Sequence, residues 1–199
     1  MPLIRETIVA TVNRSGEPHL APLGLISEGE RWILAPFHPS TTLDNLREAP
    51  FAVANLTDDV RVFAGCLTGR RDWRLTPASV VAAPRLAAAL AHLELTVAEV
   101  REHELRPRFV CRVVHRASHA PFEGFNRAQA AVIEGAILIS RLHLLPRAEV
   151  EAELGRLDVI VDKTAGAAEA EAWGWLKERA AQVFAVDPTE AGAARHPGH

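Results

Sequence analysis

Only two cysteines occur in the 199 residues, Cys66 and Cys111, and they form no C-x-x-C pair. Both sit among apolar neighbours, which predicts small core residues in a reducing compartment rather than a disulfide framework. No stretch approaches the ~18 uninterrupted apolar residues of a membrane span; even Ala128 to Ile139 is broken by Gln129 and Glu134. No excess of one charge exists either, since 22 basic residues against 25 acidic ones give a net −3. That balance offers no general attraction to nucleic acid or to an anionic membrane. A G-x-G-x-x-G fingerprint and a G-x-S-x-G elbow are both missing, which argues against a Rossmann sheet and a serine hydrolase. The start, MPLIRETIVATVN, carries Arg5 and Glu6 and only a short apolar run. It does not read as a signal peptide, so the expected location is cytoplasmic.

What is present begins with a run of short β-rich segments. ETIVATVN, PHLAPLGLIS and RWILAPF are separated by R-S-G-E and E-G-E. Gly16 and Gly29 stand where tight hairpins need positive φ, which predicts an antiparallel meander. AHLELTVAEVREHEL and RPRFVCRVVHRASH read as two longer paired strands, and with FAVANL the total reaches five to seven, enough to close a small barrel. DDVRVFAGCL reads as a short helix. After Pro121 the composition becomes rich in alanine and leucine at helical spacing, and three helices are expected, the last with Trp173, Leu176, Ala180 and Val183 on one stripe. The expected organisation is a barrel domain over 1–120, a helical region over 121–186 and a tail over 187–199.

The segment Ala35 to Asn55, APFHPSTTLDNLREAPFAVAN, carries the most chemistry. It sets Ser40, Thr41 and Thr42 at a helix start between two strands, with Asn45 one turn further on. A helix start leaves backbone N–H groups unpaired and carries the positive end of the helix dipole, so an anion such as a phosphate is stabilised there without a lysine. The competing reading is an ordinary N-cap, with Ser40 or Thr41 satisfying the first turn and Asp44 complementing the dipole.

The pattern T-x-x-N-L at Thr42 to Leu46, followed by a strand ending at Asn55, resembles the cofactor signature of the flavin-reductase-like FMN-binding split barrels. More closely, TVN-x2-G, APLG, PF-x2-STT-x-DNL and VANLTDDV-x-VF, with the later NRAQAAVIE and DKTAGAAEAEAWGWL, resemble the domain of unknown function 447 (DUF447) family from about Ile4 to Trp175. The resemblance implies a mainly β fold with α elements, a split barrel with a C-terminal helical region, a homodimer, and FMN near the subunit interface. Ser40, Thr41, Thr42 and Asn45 would hold the phosphate, Pro36 and Phe37 would flank it, and Thr11, Asn13, Pro22, Gly24 and Asn55 would lie along the flavin. Asn13 and Asn55 have a second reading as residues that shape turns and strand ends. The family pattern carries a basic residue where Ala35 stands. The phosphate would then lean on helix-start amides, or on His38, Arg70, Arg71 or Arg127.

Arg70, Arg71 and Trp73 in GRRDWR, with Arg127, are substrate-side candidates; the alternative is a packed tryptophan among solvated arginines. Arg127 follows Asn126, which can cap the helix it begins. His115 and His119 have an H-x3-H spacing, but on a strand running into a loop this spacing does not set both rings on one face. No metal is expected, and the nine histidines are taken as solvated or structural. No catalytic residue is assigned, because a flavin performs its own redox step while the protein positions it. The leading functional expectation is an FMN-dependent oxidoreductase acting on a small, pterin-like substrate or a nicotinamide. The alternatives are a non-catalytic flavin carrier and a dimeric scaffold without flavin.

Overall fold

The computed structural model describes residues 1–185, so the expected tail over 187–199 lies outside the described residues. The chain forms two compact units. The first, Met1–Asp59 with Asp72–Glu123, contains β1 (Ile4–Val12), β2 (Pro18–Glu28), β3 (Arg31–Leu34), α1 (Thr41–Glu48), β4 (Phe51–Leu56), β5 (Leu75–Thr76), β6 (Arg85–Leu86), β7 (Ala91–Arg101) and β8 (Arg108–Ser118). In the second, Val60–Arg71 with the chain from Gly124, α2 (Val60–Leu67) groups with α3 (Arg127–Ile139), α4 (Arg147–Thr164) and α5 (Ala167–Ala185).

Six strands close an antiparallel barrel in the order β1-β2-β3-β8-β7-β4, and β5 pairs with β6 separately. The meander forms as expected, with Gly16 at φ 78° and Gly29 at φ 61° in the two hairpin turns. Period-two alternation then decides the core. Val9, Leu25, Leu34, Leu93, Leu95, Phe109 and Cys111 point inward, and Leu43 and Leu46 of α1 join the same cluster. Burying each such Leu or Phe contributes about 1.5–3 kcal/mol. Cys111 is a core residue, its thiol pushed up to about 12 chiefly by burial; half-buried Cys66 is pushed up to about 11 by the same cause, against the opposing charge of Arg71. Neither is a poised nucleophile.

The helical unit differs from the expected boundary at residue 120. The segment Val60–Arg71 lies inside the barrel's stretch of sequence, yet Val60 and Ala64 pack with Ala128, Val132, Trp173 and Leu176. The apolar stripe of α2 is therefore completed by helices that follow more than fifty residues later. Trp173, Leu176 and Ala180 are buried as the spacing predicts, and Val183 is half-buried. Among the described residues, no helix is long and apolar enough to cross a membrane.

Candidate functional site

The chain leaves β3 at Leu34 and reaches α1 through a short loop. Ala35 and Pro36 are buried, Phe37 is exposed, and the His38–Pro39 peptide bond is cis. Ser40 then takes the N-cap position with extended backbone, and its Oγ accepts from the Leu43 N–H at 3.3 Å. The first intrahelical bond runs from the Asp44 N–H to the Ser40 carbonyl at 3.1 Å. The amides of Thr41 and Thr42 precede that bond, at the positive end of the helix. Thr41 is exposed and Thr42 buried. Capping and anion binding use different donors of this turn, so the two readings of the sequence are compatible here.

Asn45 is anchored rather than open. Its Nδ2 donates to the Thr11 Oγ1 at 3.0 Å, and both residues are buried, so this bond ties α1 to the end of β1. Asn55 is likewise committed to the scaffold. Its Nδ2 donates to the Ile8 carbonyl at 2.9 Å, and its Oδ1 accepts from the Leu86 N–H at 2.8 Å, joining β4, β1 and β6. Asn13 shapes the first hairpin, its Oδ1 accepting from the amides of Ser15 and Glu17. Pro22 and Gly24 lie on β2 opposite Ile8 and Glu6. At Gly24 an added Cβ would stand 2.8 Å from the Cγ2 of exposed Ile4, so a side chain there would require Ile4 to shift.

A cation reaches Ala35 from a distant part of the chain. Arg106, in the turn between β7 and β8, donates through Nε and Nη2 to the Ala35 carbonyl at 3.1 and 2.9 Å. Its guanidinium also lies 4.3 Å from the Phe37 ring centroid. The same turn is held by the His38 N–H, which donates to the Leu105 carbonyl at 2.9 Å, and by an Arg47–Glu102 ion pair at 2.9 Å. The sequence reading missed Arg106, because nothing near residue 106 marks it and only the barrel's β3–β8 pairing brings it to Ala35.

The other cations named from the sequence belong to the helical unit. Arg70 donates to the Thr68 Oγ1 at 2.8 Å and lies 4.0 Å from the Trp175 ring centroid. Arg71 is exposed, and so is Arg127, beside Asn126, whose Oδ1 caps α3 by accepting from Ala128 and Gln129. Trp73, in the barrel unit, is half-buried, and its indole N–H is buried without a hydrogen-bond partner among the described residues. Buried donors of this kind are uncommon, and a bound molecule is one way to satisfy them.

The closed six-stranded antiparallel barrel with its helices has the flavin-reductase-like split-barrel fold of similar solved structures. The chain belongs to the DUF447 family: the description "Protein of unknown function (DUF447) N-terminal domain" matches residues 5–120, and its C-terminal counterpart matches residues 126–178. Among solved structures it is similar to an FMN-bound protein of that family from Methanosarcina mazei. That match has 20% identity and a TM-score of 0.78, and covers 88% of this chain and 94% of the other. The 2-nitrobenzoate 2-nitroreductase of Pseudomonas fluorescens is 21% identical with a TM-score of 0.50, over 59% of this chain and 64% of the other. An NADH:FAD oxidoreductase of Streptomyces globisporus is 15% identical with a TM-score of 0.50, over 60% and 77%. No curated protein matches the chain.

Proposed function

We propose that this protein binds FMN, with the flavin's phosphate at the start of α1, and acts as a homodimeric oxidoreductase on a small molecule. The observation that carries this reading is the likeness, over both parts of the chain, to a family member whose structure contains FMN. The donor set at α1 fits a phosphate. It offers the hydroxyl of exposed Thr41, the first-turn amides of Thr41 and Thr42, and a guanidinium fastened to Ala35, which precedes the helix. Bound FMN would supply the hydride chemistry. The chain's part is to hold it: Thr11 fixes Asn45 and with it the pitch of α1, while Asn55 locks the strand ends beneath. The unpaired Trp73 indole N–H favours a polar ligand atom on that side of the barrel unit.

The test is flavin binding followed by turnover. Purified protein carrying flavin absorbance that bleaches with a nicotinamide at a catalytic rate supports the oxidoreductase; absorbance that persists under every donor makes it a carrier. Replacing Thr41 and Thr42 together by Ala is expected to weaken FMN binding by about 1–3 kcal/mol, as for lost hydrogen bonds to a charged group. Arg106→Ala should cost about 1 kcal/mol, and more at low salt, because a half-exposed guanidinium acts partly through a screened field. Titrating apoprotein with FMN by fluorescence quenching measures both, and unchanged affinity in both variants sinks the proposed placement.

A further inference from the structure

We propose that His92, Glu94 and His115 form a site for a divalent transition-metal ion of the Zn2+ type on the outer face of the β7–β8 hairpin. The register of the two strands builds this site. Leu93 and Leu95 point into the barrel core, so His92 and Glu94, which alternate with them, share the opposite face. His115 is paired directly across from Glu94 and joins them there. Each residue offers one ligand atom, and the three atoms lie within 4.8 Å of one another.

The chemistry of each group suits a cation. Glu94 is completely buried, and its carboxylate accepts from the backbone amides of Ser79, Val80 and Val81. Those amide bonds are 2.6–2.8 Å long and fix the carboxylate's orientation: Ser79 donates to Oε1, the oxygen that also faces His92, while Val80 and Val81 donate to Oε2. The His92 Nε2 lies 3.2 Å from the Glu94 Oε1. Two ligand atoms held by one tetrahedral ion at bonds of about 2.0–2.2 Å are about 3.3 Å apart, so this pair already has the right separation.

The other ring nitrogen of His92 is also accounted for. Its Nδ1 is 2.9 Å from the Nε2 of His119, whose ring stacks on His92 at 5.0 Å and 9°. With a metal on Nε2, the Nδ1–H donates outward to His119, the arrangement by which an outer partner sets the tautomer of a ligating histidine. His115 brings the third donor, and its ring makes no hydrogen bond among the described residues. Two histidines and a carboxylate leave a coordination position for water or a ligand oxygen, as in open zinc sites. The sequence reading set the H-x3-H spacing of His115 and His119 aside and expected no metal. His119 stands behind His92, and the partner that matters is the H-x-E pair on the neighbouring strand.

Chelator-treated full-length protein should take up one Zn2+ per chain in calorimetry, and Co2+ should give the visible absorption of a low-coordinate nitrogen–oxygen site. His115→Ala should abolish both while leaving every other histidine, including His196 and His199, in place. His119→Ala, at an exposed position, should lower Zn2+ affinity about 10- to 100-fold, as loss of an outer partner does, and it serves as the decisive variant if His115→Ala does not fold. Failure of the wild type to bind Zn2+, or undiminished binding in the folded variants, overturns the site and leaves the cluster as a hydrogen-bonded anchor for residues 79–81.

Discussion

Glu94→Ala is expected to destabilise the protein by about 2–4 kcal/mol, because one side chain satisfies three backbone amides at once. The amides of Ser79, Val80 and Val81 come from the stretch between β5 and β6, and the carboxylate ties that stretch to β7. Alanine removes every acceptor. The loop can then lift to meet water, which keeps the loss below three full desolvation penalties, but it uncovers His92 and Ala83, which are buried in the native fold. Urea unfolding at neutral pH measures the change. Glu94→Gln should lose less, since its carbonyl oxygen still accepts while its amide NH2 confronts a backbone donor.

The same group predicts a pH dependence. Burial raises the Glu94 pKa, and the amides with His92 more than reverse this, holding it at about 2 against an ordinary value of 4.5. A depressed carboxyl pKa stabilises the folded state above the unfolded value and loses that contribution as pH falls through the folded one. Wild-type stability should therefore decline as pH drops from about 4.5 towards 2, and the decline should be shallower in Glu94→Ala. Equal slopes in the two proteins would show that the carboxylate does not carry the effect.

Trp173→Ala should cost about 3–5 kcal/mol, the range for removing a large aromatic from a packed interior. Trp173 is 2% exposed and lies against Gly135 of α3 so closely that a Cβ on that glycine would stand 2.5 Å from the indole Cζ3. The indole N–H also donates to Asp158 on α4 at 2.6 Å, so one residue joins three helices. That hydrogen bond, and then the ammonium of Lys177, holds the Asp158 carboxyl below its ordinary range. Trp173→Phe keeps most of the volume and loses the hydrogen bond, and should cost roughly 1–2 kcal/mol. Thermal denaturation followed at the helical signal separates the two. A small loss in the alanine variant would mean that the helices repack without the ring.

Much of the barrel was legible because its signals are local. The two long strands were legible as a pair, and the glycines at 16 and 29 marked the hairpins. The helix start at Ser40 was legible for the same reason, since a cap is read from adjacent residues. What escaped depends on pairing between distant segments. The grouping of α2 with α3 and α5 is set by a stripe whose partners lie far along the chain. Arg106 reaches Ala35 only because β3 and β8 are neighbours. Glu94 gave no signal of its own in the sequence, because its carboxylate is met by amides of the distant stretch 79–81. Asn45 and Asn55 were read as cofactor contacts; their bonds to Thr11, Ile8 and Leu86 are architectural and could not be revealed by spacing.

The excursion of the chain through α2 also bears on how this family could have been assembled in evolution. A helical piece simply appended to an ancestral barrel would meet it at one junction. Here the polypeptide departs at Asp59, returns at Asp72 and departs again after Glu123, so three junctions must be kept in step. The two parts are interleaved along the sequence, so swapping one for a foreign module takes three splice points rather than one.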